Sequence, residues 1–168
     1  MGMKAQELVK RAGLDLNALV KELNSAYCDE WLAYYQYWIG AKVAEGKMFK
    51  VIAAELEEHA GEELEHAQKL AKRIMELGGT PALSPQEWLK ESTCGYFAPT
   101  DADAFEILKQ NIQSERCAIE VYSRILERLK GRDPLTAHLI RSILADEVEH
   151  EEDLESLCPL ADPPKKSK

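Results

Sequence analysis

Residues 49–77 read FKVIAAELEEHAGEELEHAQKLAKRIMEL, and this stretch decides the fold. Apolar side chains recur in it every three or four residues, so they form one stripe along a helix. The stripe consists of Ile52, Leu56, His59, Glu63, His66, Leu70, Ile74 and Leu77. Its ends are apolar, but Glu63 and His66 project side by side from its middle. A carboxylate held in an apolar stripe must shift its pKa, find a partner or bind a metal, because a bare buried charge is prohibitive.

The composition is that of a globular protein. The chain has 168 residues, of which 45% are hydrophobic and 30% charged, so we expect a single domain over residues 1–168. The formal net charge of −9 argues against a general binder of nucleic-acid phosphates, which would present a basic face. The basic cluster at residues 165–168 is a short tail that keeps the C-terminus solvated.

Neither the apolar segments nor the cysteines indicate export. No stretch approaches the roughly 18 apolar residues of a membrane span, and residues 1–13 lack the apolar core of a signal peptide. The four cysteines, Cys28, Cys94, Cys117 and Cys158, lack the close pairing of a secreted disulfide framework. We therefore expect a cytoplasmic protein that does not enter the membrane.

The pattern predicts an all-α bundle of four long helices over residues 15–44, 48–77, 102–130 and 134–157. Asp15 and Asp133 are expected helix N-caps. Residues 78–101 contain three prolines and little periodicity apart from a short helix near residues 84–90. So long a connection suggests a crossover along the bundle, which makes the third long helix parallel to the second. Residues 158–168 form a tail.

Each long helix carries one acid in the middle of its apolar stripe. These acids are Glu30, Glu63, Glu115 and Glu147, and the second and fourth also begin Glu-x-x-His motifs that end at His66 and His150. The spacing from Glu30 to Glu63 nearly equals that from Glu115 to Glu147, so the two halves of the chain repeat one pattern. Antiparallel folding of each half brings all four acids to one level.

Four carboxylates and two imidazoles supply six ligands, and two divalent cations balance the four negative charges. The oxygen and nitrogen ligands suit iron or manganese better than copper(I), and zinc is a further substitute. This is the di-metal carboxylate arrangement of ferritin-like bundles. We expect Glu63 and Glu147 to bridge the two metals. The alternative is a bundle whose acids fall on the seam by chance or pair with the histidines as structural ion pairs.

The other acids lie off the stripes and are expected to form a solvated face or to attract cations toward the site. They are Glu55, Glu57, Glu58, Glu62, Glu65, Glu151 and Glu152.

Three segments resemble bacterioferritins: residues 30–37 (EWLAYYQY), residues 63–74 (ELEHAQKLAKRI) and the Glu-x-x-His motif at Glu147. The resemblance extends over all four long helices. Leu64 stands where bacterioferritins carry the haem-ligating methionine, so no haem is expected. The fifth helix of ferritins is missing, which does not favour a 24-subunit shell.

The longer crossover containing Cys94, together with Cys117, resembles the Dps-like proteins called thioferritins. That family implies a di-iron site within each subunit, a dodecameric shell, and oxidation of Fe(II) by hydrogen peroxide or O₂. It also implies storage of ferric mineral and protection against oxidative stress.

The resemblance suggests that Cys94 and Cys117 form a redox-active or disulfide-bonded pair. Cys117 lies about 200° around the helix from Glu115, so it faces outward, where the crossover could pass. Two ordinary buried thiols remain the alternative, because spacing alone does not pair cysteines. Cys28 and Cys158 are expected to be packing residues.

Several aromatic and imidazole side chains remain. Tyr37 resembles the tyrosine near the bacterioferritin di-iron centre, where it could hydrogen-bond a ligand or donate an electron, and it could equally fill the core. Tyr34 and Tyr122 are expected in the core. His59 is expected to be a core residue or a partner of a ligand, and His138 to lie on the surface.

The preferred function is therefore a cage-forming ferroxidase. An alternative is a non-cage di-metal enzyme, either a rubrerythrin-like peroxidase or an oxygenase acting on an organic substrate. The chain lacks the Cys-x-x-Cys module of rubrerythrins, which weakens the first of these. A third reading, a DNA-protecting binder, rests only on the C-terminal lysines.

Overall fold

The computed structural model describes the backbone of residues 3–161 and the side chains through residue 158, and these residues contain six helices and no strand. The helices are α1 (Met3–Arg11), α2 (Leu16–Val43), α3 (Phe49–Glu76), α4 (Pro85–Glu91), α5 (Ala104–Leu129) and α6 (Pro134–Ala161). The predicted all-α fold with four long helices is confirmed, and α4 matches the predicted short helix. None of the helices described has the length and apolar content to cross a bilayer.

Short polar side chains begin the helices. Asp15 Oδ1 accepts a hydrogen bond from the Ala18 N–H at 3.0 Å, and Asp133 Oδ1 accepts one from the Thr136 N–H at 3.2 Å. Asp103 caps α5 in the same way. Each satisfies a backbone donor that the first helical turn leaves without a partner, and the caps predicted at Asp15 and Asp133 are confirmed.

The stripe of residues 49–77 is buried along its whole length, since all eight of its members are buried. The helix stops at Gly78, whose φ of 81° is costly for residues with a Cβ. The N–H groups of Gly78 and Gly79 then donate to the carbonyls of Met75 and Ile74 at 3.0 and 2.9 Å, which satisfies the last turn.

The crossover between α3 and α5 runs along α2 from its first half to its end. Asn24 donates to the Thr80 carbonyl at 3.1 Å, Trp31 stacks on Trp88 with ring centroids 4.7 Å apart, and the Glu45 N–H donates to the Ala102 carbonyl at 2.7 Å. Since α2 ends where α3 begins, α5 starts at that same end of the bundle. Helices α3 and α5 are therefore parallel, as predicted.

The four long helices form the corners of the bundle in the order α2, α3, α6, α5. Both α2 and α6 pack against α3 and α5. The crossover covers the α2 side, so the face between α3 and α6 lies opposite. The core consists of two hydrophobic clusters, one around Leu23, Leu70 and Ile140 and the other around Leu56 and Leu108. A layer of buried acids and histidines separates them.

The structure differs from the sequence predictions at both ends of the chain. Helix α1 was not predicted, and Val9 is its one buried residue. Helix α6 continues to Ala161, whereas the prediction ended it at residue 157. The C-terminal lysines of residues 165–168 lie outside the described residues.

Candidate metal centre

The polar layer of the core contains the six predicted ligands. Glu30 comes from α2, Glu63 and His66 from α3, Glu115 from α5, and Glu147 and His150 from α6. Each side chain is only 1–2% exposed. The six side chains lie at the same height along the bundle because the two short loops make α2 antiparallel to α3 and α5 antiparallel to α6.

The six side chains form two overlapping groups of four. The first group is Glu30, Glu63, His66 and Glu147, the second is Glu63, Glu115, Glu147 and His150, and within each group one ligand atom of every residue lies within 4.8 Å of the others. Glu63 and Glu147, the two residues predicted to bridge the metals, belong to both groups.

In each group, the Nδ1 atom of the imidazole lies close to the carboxylate oxygens of the other members. His66 Nδ1 lies 3.4 Å from Glu30 Oε2, 3.3 Å from Glu63 Oε2 and 3.2 Å from Glu147 Oε1. His150 Nδ1 lies 3.3 Å from Glu63 Oε1 and 3.4 Å from Glu147 Oε2. Atoms bound at about 2.1 Å to one tetrahedral cation lie about 3.4 Å apart, so these separations fit a cation in each group.

Several polar atoms of this cluster are buried without a hydrogen-bond partner. They are Glu30 Oε2, Glu63 Oε1, Glu115 Oε2, both carboxylate oxygens of Glu147, and His150 Nδ1. Leaving a buried polar atom unpaired costs about 1–3 kcal/mol, and more for a charged group. All these atoms face the same space, so two cations between them would satisfy every one.

The pKa values of the cluster also favour bound cations. Burial and the charges of Glu147 and Glu63 raise the pKa of Glu30 and of Glu115 well above its usual range. Burial also opposes charge on His150, but the adjacent carboxylates of Glu147 and Glu63 outweigh it and raise the pKa of His150 to about 12. Without cations, the cluster therefore retains protons that a bound metal would displace.

Carboxylates outside the cluster hold the two imidazole rings. His66 Nε2 donates to Asp146 Oδ2 at 3.0 Å, and His150 Nε2 donates to Glu62 Oε2 at 2.6 Å. These bonds turn Nδ1 of each ring toward the acids, as carboxylate partners do for histidine ligands of metals. Glu62 was expected to belong to a solvated face or to attract cations toward the site, and its role as a partner of His150 was missed.

Two tyrosines donate hydrogen bonds to Glu115 and Glu30, the two acids that each belong to only one of the two groups. The Tyr37 hydroxyl donates to Glu115 Oε1, and the Tyr122 hydroxyl donates to Glu30 Oε1. Burial, followed by the charge of the adjacent acid, raises the pKa of both tyrosines well above the usual range, so both act as neutral donors. Tyr37 was predicted near the site, whereas Tyr122 was expected only to fill the core.

These contacts reveal a pseudo-two-fold arrangement that the sequence pattern contained. Tyr37 and Tyr122 each lie two helical turns after a mid-stripe acid, and each donates to the acid of the other half. Likewise, an acid directly precedes each Glu-x-x-His motif and binds the histidine of the other motif. The repeated spacing was the signal that could have identified both pairs.

A narrow cleft leads from the surface to the acids between α2 and α5. Its volume is about 20 Å³, and its lining includes Glu30, Glu115 and the turn at Cys94 and Gly95. Asp29 Oδ1 anchors this turn by accepting the N–H groups of Thr93 and Cys94 at 2.8 and 2.9 Å.

The structure joins Cys94 to Cys117 by a disulfide, with the two Cα atoms 5.8 Å apart. The bond lies beside the cleft, at the place where the crossover was predicted to pass Cys117. Cys28 is a buried free thiol and Cys158 a half-buried one. His138 is exposed, as predicted.

His59 is buried beside His150, one of the six candidate ligands. Its ring stacks on His150 with centroids 4.2 Å apart and meets Tyr37 edge-on at 5.4 Å. Burial, and then the charge of His150, lowers the pKa of His59 to about 4. The ring therefore stays neutral at neutral pH.

Comparisons with known proteins agree with this geometry. The family model described as "Ferritin-like domain" matches residues 20–161. The DNA protection during starvation protein of Pyrococcus furiosus is 34% identical over 153 residues, which is 90% of this chain and 83% of that protein. A bacterioferritin of Desulfovibrio desulfuricans is 29% identical over 133 residues, 79% of this chain and 69% of that protein.

Among solved structures, the bacterioferritin-related protein of Bacteroides fragilis, described as a dodecameric thioferritin, superposes with a TM-score of 0.90. It is 44% identical, and the match covers 92% of each chain.

Proposed function

The chain belongs to the ferritin-like domain family, and from this premise we propose that it is a ferroxidase. It oxidises Fe(II) with hydrogen peroxide or O₂ at a dinuclear site within the subunit and stores the Fe(III) as mineral inside a shell of identical subunits. The consumption of Fe(II) and peroxide together suppresses hydroxyl-radical formation, so the protein protects against oxidative stress.

The observation that carries this proposal is the set of buried, unpaired carboxylate oxygens around two imidazoles. A folded protein does not retain such atoms in its core without compensation. Two divalent cations supply that compensation and neutralise the four carboxylates. Oxygen and imidazole donors suit iron, manganese and zinc, and the family membership favours iron.

The residues of the site then have separate tasks. Glu63 and Glu147 bridge the two Fe(II) ions, while Glu30 with His66 and Glu115 with His150 complete the two sites. Tyr37 and Tyr122 orient the carboxylates of Glu115 and Glu30. Each Fe(II) gives up one electron; the two electrons and two protons convert one hydrogen peroxide into two water molecules, or one O₂ into one hydrogen peroxide. Protons displaced from the acids by iron are available on the spot.

A shell of identical subunits is supported by the relatives. The Bacteroides fragilis protein is described as dodecameric, and we propose a dodecamer for this chain as well. The native mass of the particle, measured together with its iron content after growth in iron, tests this part of the proposal.

We propose that Cys94 and Cys117 are a redox-active pair beside the access cleft. The disulfide and the lining of the cleft by Cys94 support this assignment. Free thiols are counted in reduced protein before and after peroxide, in the wild type and in Cys94→Ser. The wild type should lose two thiols per subunit more than the variant does, and equal losses would remove the proposal.

The central test compares Glu63→Gln with Glu65→Gln. The first substitution removes a bridging charge, and the second removes the same charge from an exposed position on the same helix. Stopped-flow oxidation of Fe(II) should slow at least about 100-fold in Glu63→Gln, since even partners of metal ligands contribute roughly 10- to 100-fold. Glu65→Gln should oxidise iron at the wild-type rate. Normal oxidation by a correctly folded Glu63→Gln would contradict the assignment.

The alternative of a non-cage di-metal enzyme has less support. A cleft of about 20 Å³ has room for about one water-sized molecule, which leaves little space beside Glu30 and Glu115 for the organic substrate of an oxygenase. A monomer or dimer with peroxidase turnover would favour a rubrerythrin-like enzyme over storage.

DNA protection, named for the Pyrococcus furiosus relative, is a weaker candidate here because the net charge is −9. A gel shift at moderate salt tests it.

A further inference from the structure

A cationic cavity lies in the groove between α2 and α5, on the far side of the Cys94 turn from the access cleft. Its volume is about 300 Å³, which is enough for a small molecule. The access cleft is lined by residues 29–36 of α2, whereas this cavity is lined by residues 18–25 of α2 and 121–128 of α5. The turn separates the two spaces, since Cys94 lines the cleft and Thr93 lines the cavity.

The charge of this cavity is opposite to that of the chain as a whole. Its charged side chains are Lys21, Arg124, Arg128 and Glu22. Arg128 Nη1 donates to Glu22 Oε1, so these two charges compensate each other. Arg124 Nε donates to the Glu120 carbonyl at 3.2 Å, and neither Lys21 nor Arg124 forms an ion pair with any described residue. In a chain with 30 acids and 21 lysines and arginines, two cations without acid partners in one cavity form a local site for an anion.

The cavity adjoins both cysteines of the disulfide. Thr93 directly precedes Cys94, and Val121 lies one turn after Cys117 on the same face of α5. Arg124 lies a further turn along this face, and helical side chains lean toward the N-terminus of their helix, here toward Cys117. Both cysteines are half-buried rather than enclosed, and exchange of a disulfide with an external thiol requires such access.

The charge of Arg124 also acts on the turn itself. Asp29 Oδ1 accepts the N–H groups of Thr93 and Cys94. Burial raises the pKa of Asp29, and the hydrogen bonds from the turn and then the charge of Arg124 oppose this effect. The Arg124 guanidinium is therefore close to the carboxylate that positions Cys94. A molecule bound to Arg124 lies near the disulfide.

We propose that the cationic cavity binds a small thiol that carries carboxylates, and that this thiol reduces the Cys94–Cys117 disulfide. The inference rests on the redox role proposed above for the two cysteines. The thiolate of the bound molecule attacks one Sγ atom, the bond between the two Sγ atoms breaks, and the other Sγ leaves as a thiolate. A second thiol attacks the resulting mixed disulfide. Two thiols thus become one small-molecule disulfide, and their two protons pass to the two cysteines. The pair is then ready to be oxidised again by peroxide.

The test compares two thiols as reductants of the full-length protein without oxygen. Mercaptosuccinate carries two carboxylates, and 2-mercaptoethanol carries none. The site variant is Lys21→Gln/Arg124→Gln, in which both changed side chains are exposed. The matched control is Lys72→Gln/Arg141→Gln, which removes one lysine and one arginine from exposed positions of α3 and α6. Samples are quenched in acid, and the free thiols are alkylated and counted per subunit by mass spectrometry.

The wild type and the control should be reduced by mercaptosuccinate at a rate that saturates with thiol concentration and falls when succinate competes for the cavity. Each exposed ion pair contributes up to about 5-fold in binding, so the site variant should react roughly 10-fold more slowly with mercaptosuccinate. Its reaction with 2-mercaptoethanol should slow much less, because that thiol has no carboxylate for the two cations to bind.

The outcomes separate the thiol site from the redox role of the cysteines. Equal slowing of both thiols in the site variant would overturn the site and leave the redox pair intact. The same conclusion would follow from a mercaptosuccinate rate that is unchanged in the site variant, equally lowered in the control, or indifferent to succinate. A wild-type disulfide that neither thiol reduces would overturn the redox role of the pair, and this inference with it.

Discussion

At the scale of single residues, the site is held by contacts that cross from one half of the chain to the other. Asp146 holds His66, and Glu62 holds His150. Each histidine ligand thus depends on an acid that neighbours the other motif. The arrangement makes the two metal positions interdependent, since a change in one half alters the ligand orientation in the other.

Replacement of Asp146 by Asn should weaken metal binding without unfolding the protein. The amide accepts a weaker hydrogen bond from His66 Nε2, so the ring is less basic and less well oriented. We expect zinc affinity to fall roughly 10- to 100-fold, measured by competition with a chelator. Glu152→Gln removes the same charge from the same helix away from the cluster and should leave affinity unchanged. An Asp146→Asn protein with wild-type affinity would contradict the role assigned to this carboxylate.

The six candidate ligands could be predicted because each occupies a position of an apolar stripe. A polar residue at such a position can be recognised from a single sequence. Asp146 and Glu62 could not be singled out in this way, because both are partly exposed and the surrounding helices are rich in acids. Tyr122 was assigned to the core correctly. Its bond to Glu30 could not be inferred from the stripe of α5 alone. It could be inferred only by recognising Tyr122 as the repeat of Tyr37, two turns after a mid-stripe acid.

At the scale of helices, a buried ion pair joins the end of α3 to the start of α6. Arg73 Nη2 donates to Asp133 Oδ2 at 2.9 Å, and Arg73 Nε donates to Thr136 Oγ1 at 2.8 Å. Asp133 is also the N-cap of α6. Burial opposes its charge, but the hydrogen bonds from Thr136 and Arg73 lower the pKa of Asp133 below its usual value.

The variant Asp133→Asn should lower thermal stability in a pH-dependent way. It leaves the buried Arg73 with only the partly exposed Glu76, at 3.0 Å, as a counter-charge, which costs up to about 3 kcal/mol, or up to about 6–12 °C in Tm for a chain of this size. A lowered folded pKa stabilises the protein above the unfolded value of about 3.9, and this contribution is lost as the pH falls through the folded value. The difference in Tm from wild type should therefore be full at pH 7 and shrink below about pH 4.

The control for this prediction is Asp15→Asn. Asp15 caps α2 in an exposed position, and Asn caps helices about as well as Asp. Its Tm at pH 7 should stay close to that of the wild type. An equal drop in both variants would assign the effect to capping rather than to the buried pair.

Helix α1 shows why one element escaped prediction. It has nine residues and one buried side chain, and helices this short are marginal on their own. Packing of Val9 into the core cluster stabilises it, and that contact involves residues distant in the sequence. The long helices carry their own amphipathic pattern and needed no such information.

At the scale of the whole molecule, two opposite faces have opposite character. The α3–α6 face carries an acidic cavity, whose walls include six carboxylates. The side covered by the crossover has an apolar groove of about 380 Å³ between α2 and α4. In a shell of identical subunits, the groove is suited to contact between copies, because isologous interfaces pair a patch with itself. The acidic face cannot pair with itself without repulsion, so it suits the interior, where cations collect.

The variant Leu89→Asp should therefore break the shell into smaller species. Leu89 lines the groove and is 61% exposed, so a charge there does not disturb the core of the subunit. At a packed interface, such a change costs about 2 kcal/mol or more per contact, close to 30-fold in affinity, and every interface of this type in the shell incurs the cost. The native mass should fall in analytical ultracentrifugation, while circular dichroism keeps its helical signal.

The control is Glu149→Lys, on the acidic face. Glu149 is exposed and lines the acidic cavity. A reversed charge there should leave the assembly at its wild-type mass, since no second copy is expected to pack on that face. Dissociation caused by Glu149→Lys and not by Leu89→Asp would place the subunit contacts on the opposite face and would reverse the orientation inferred for the shell.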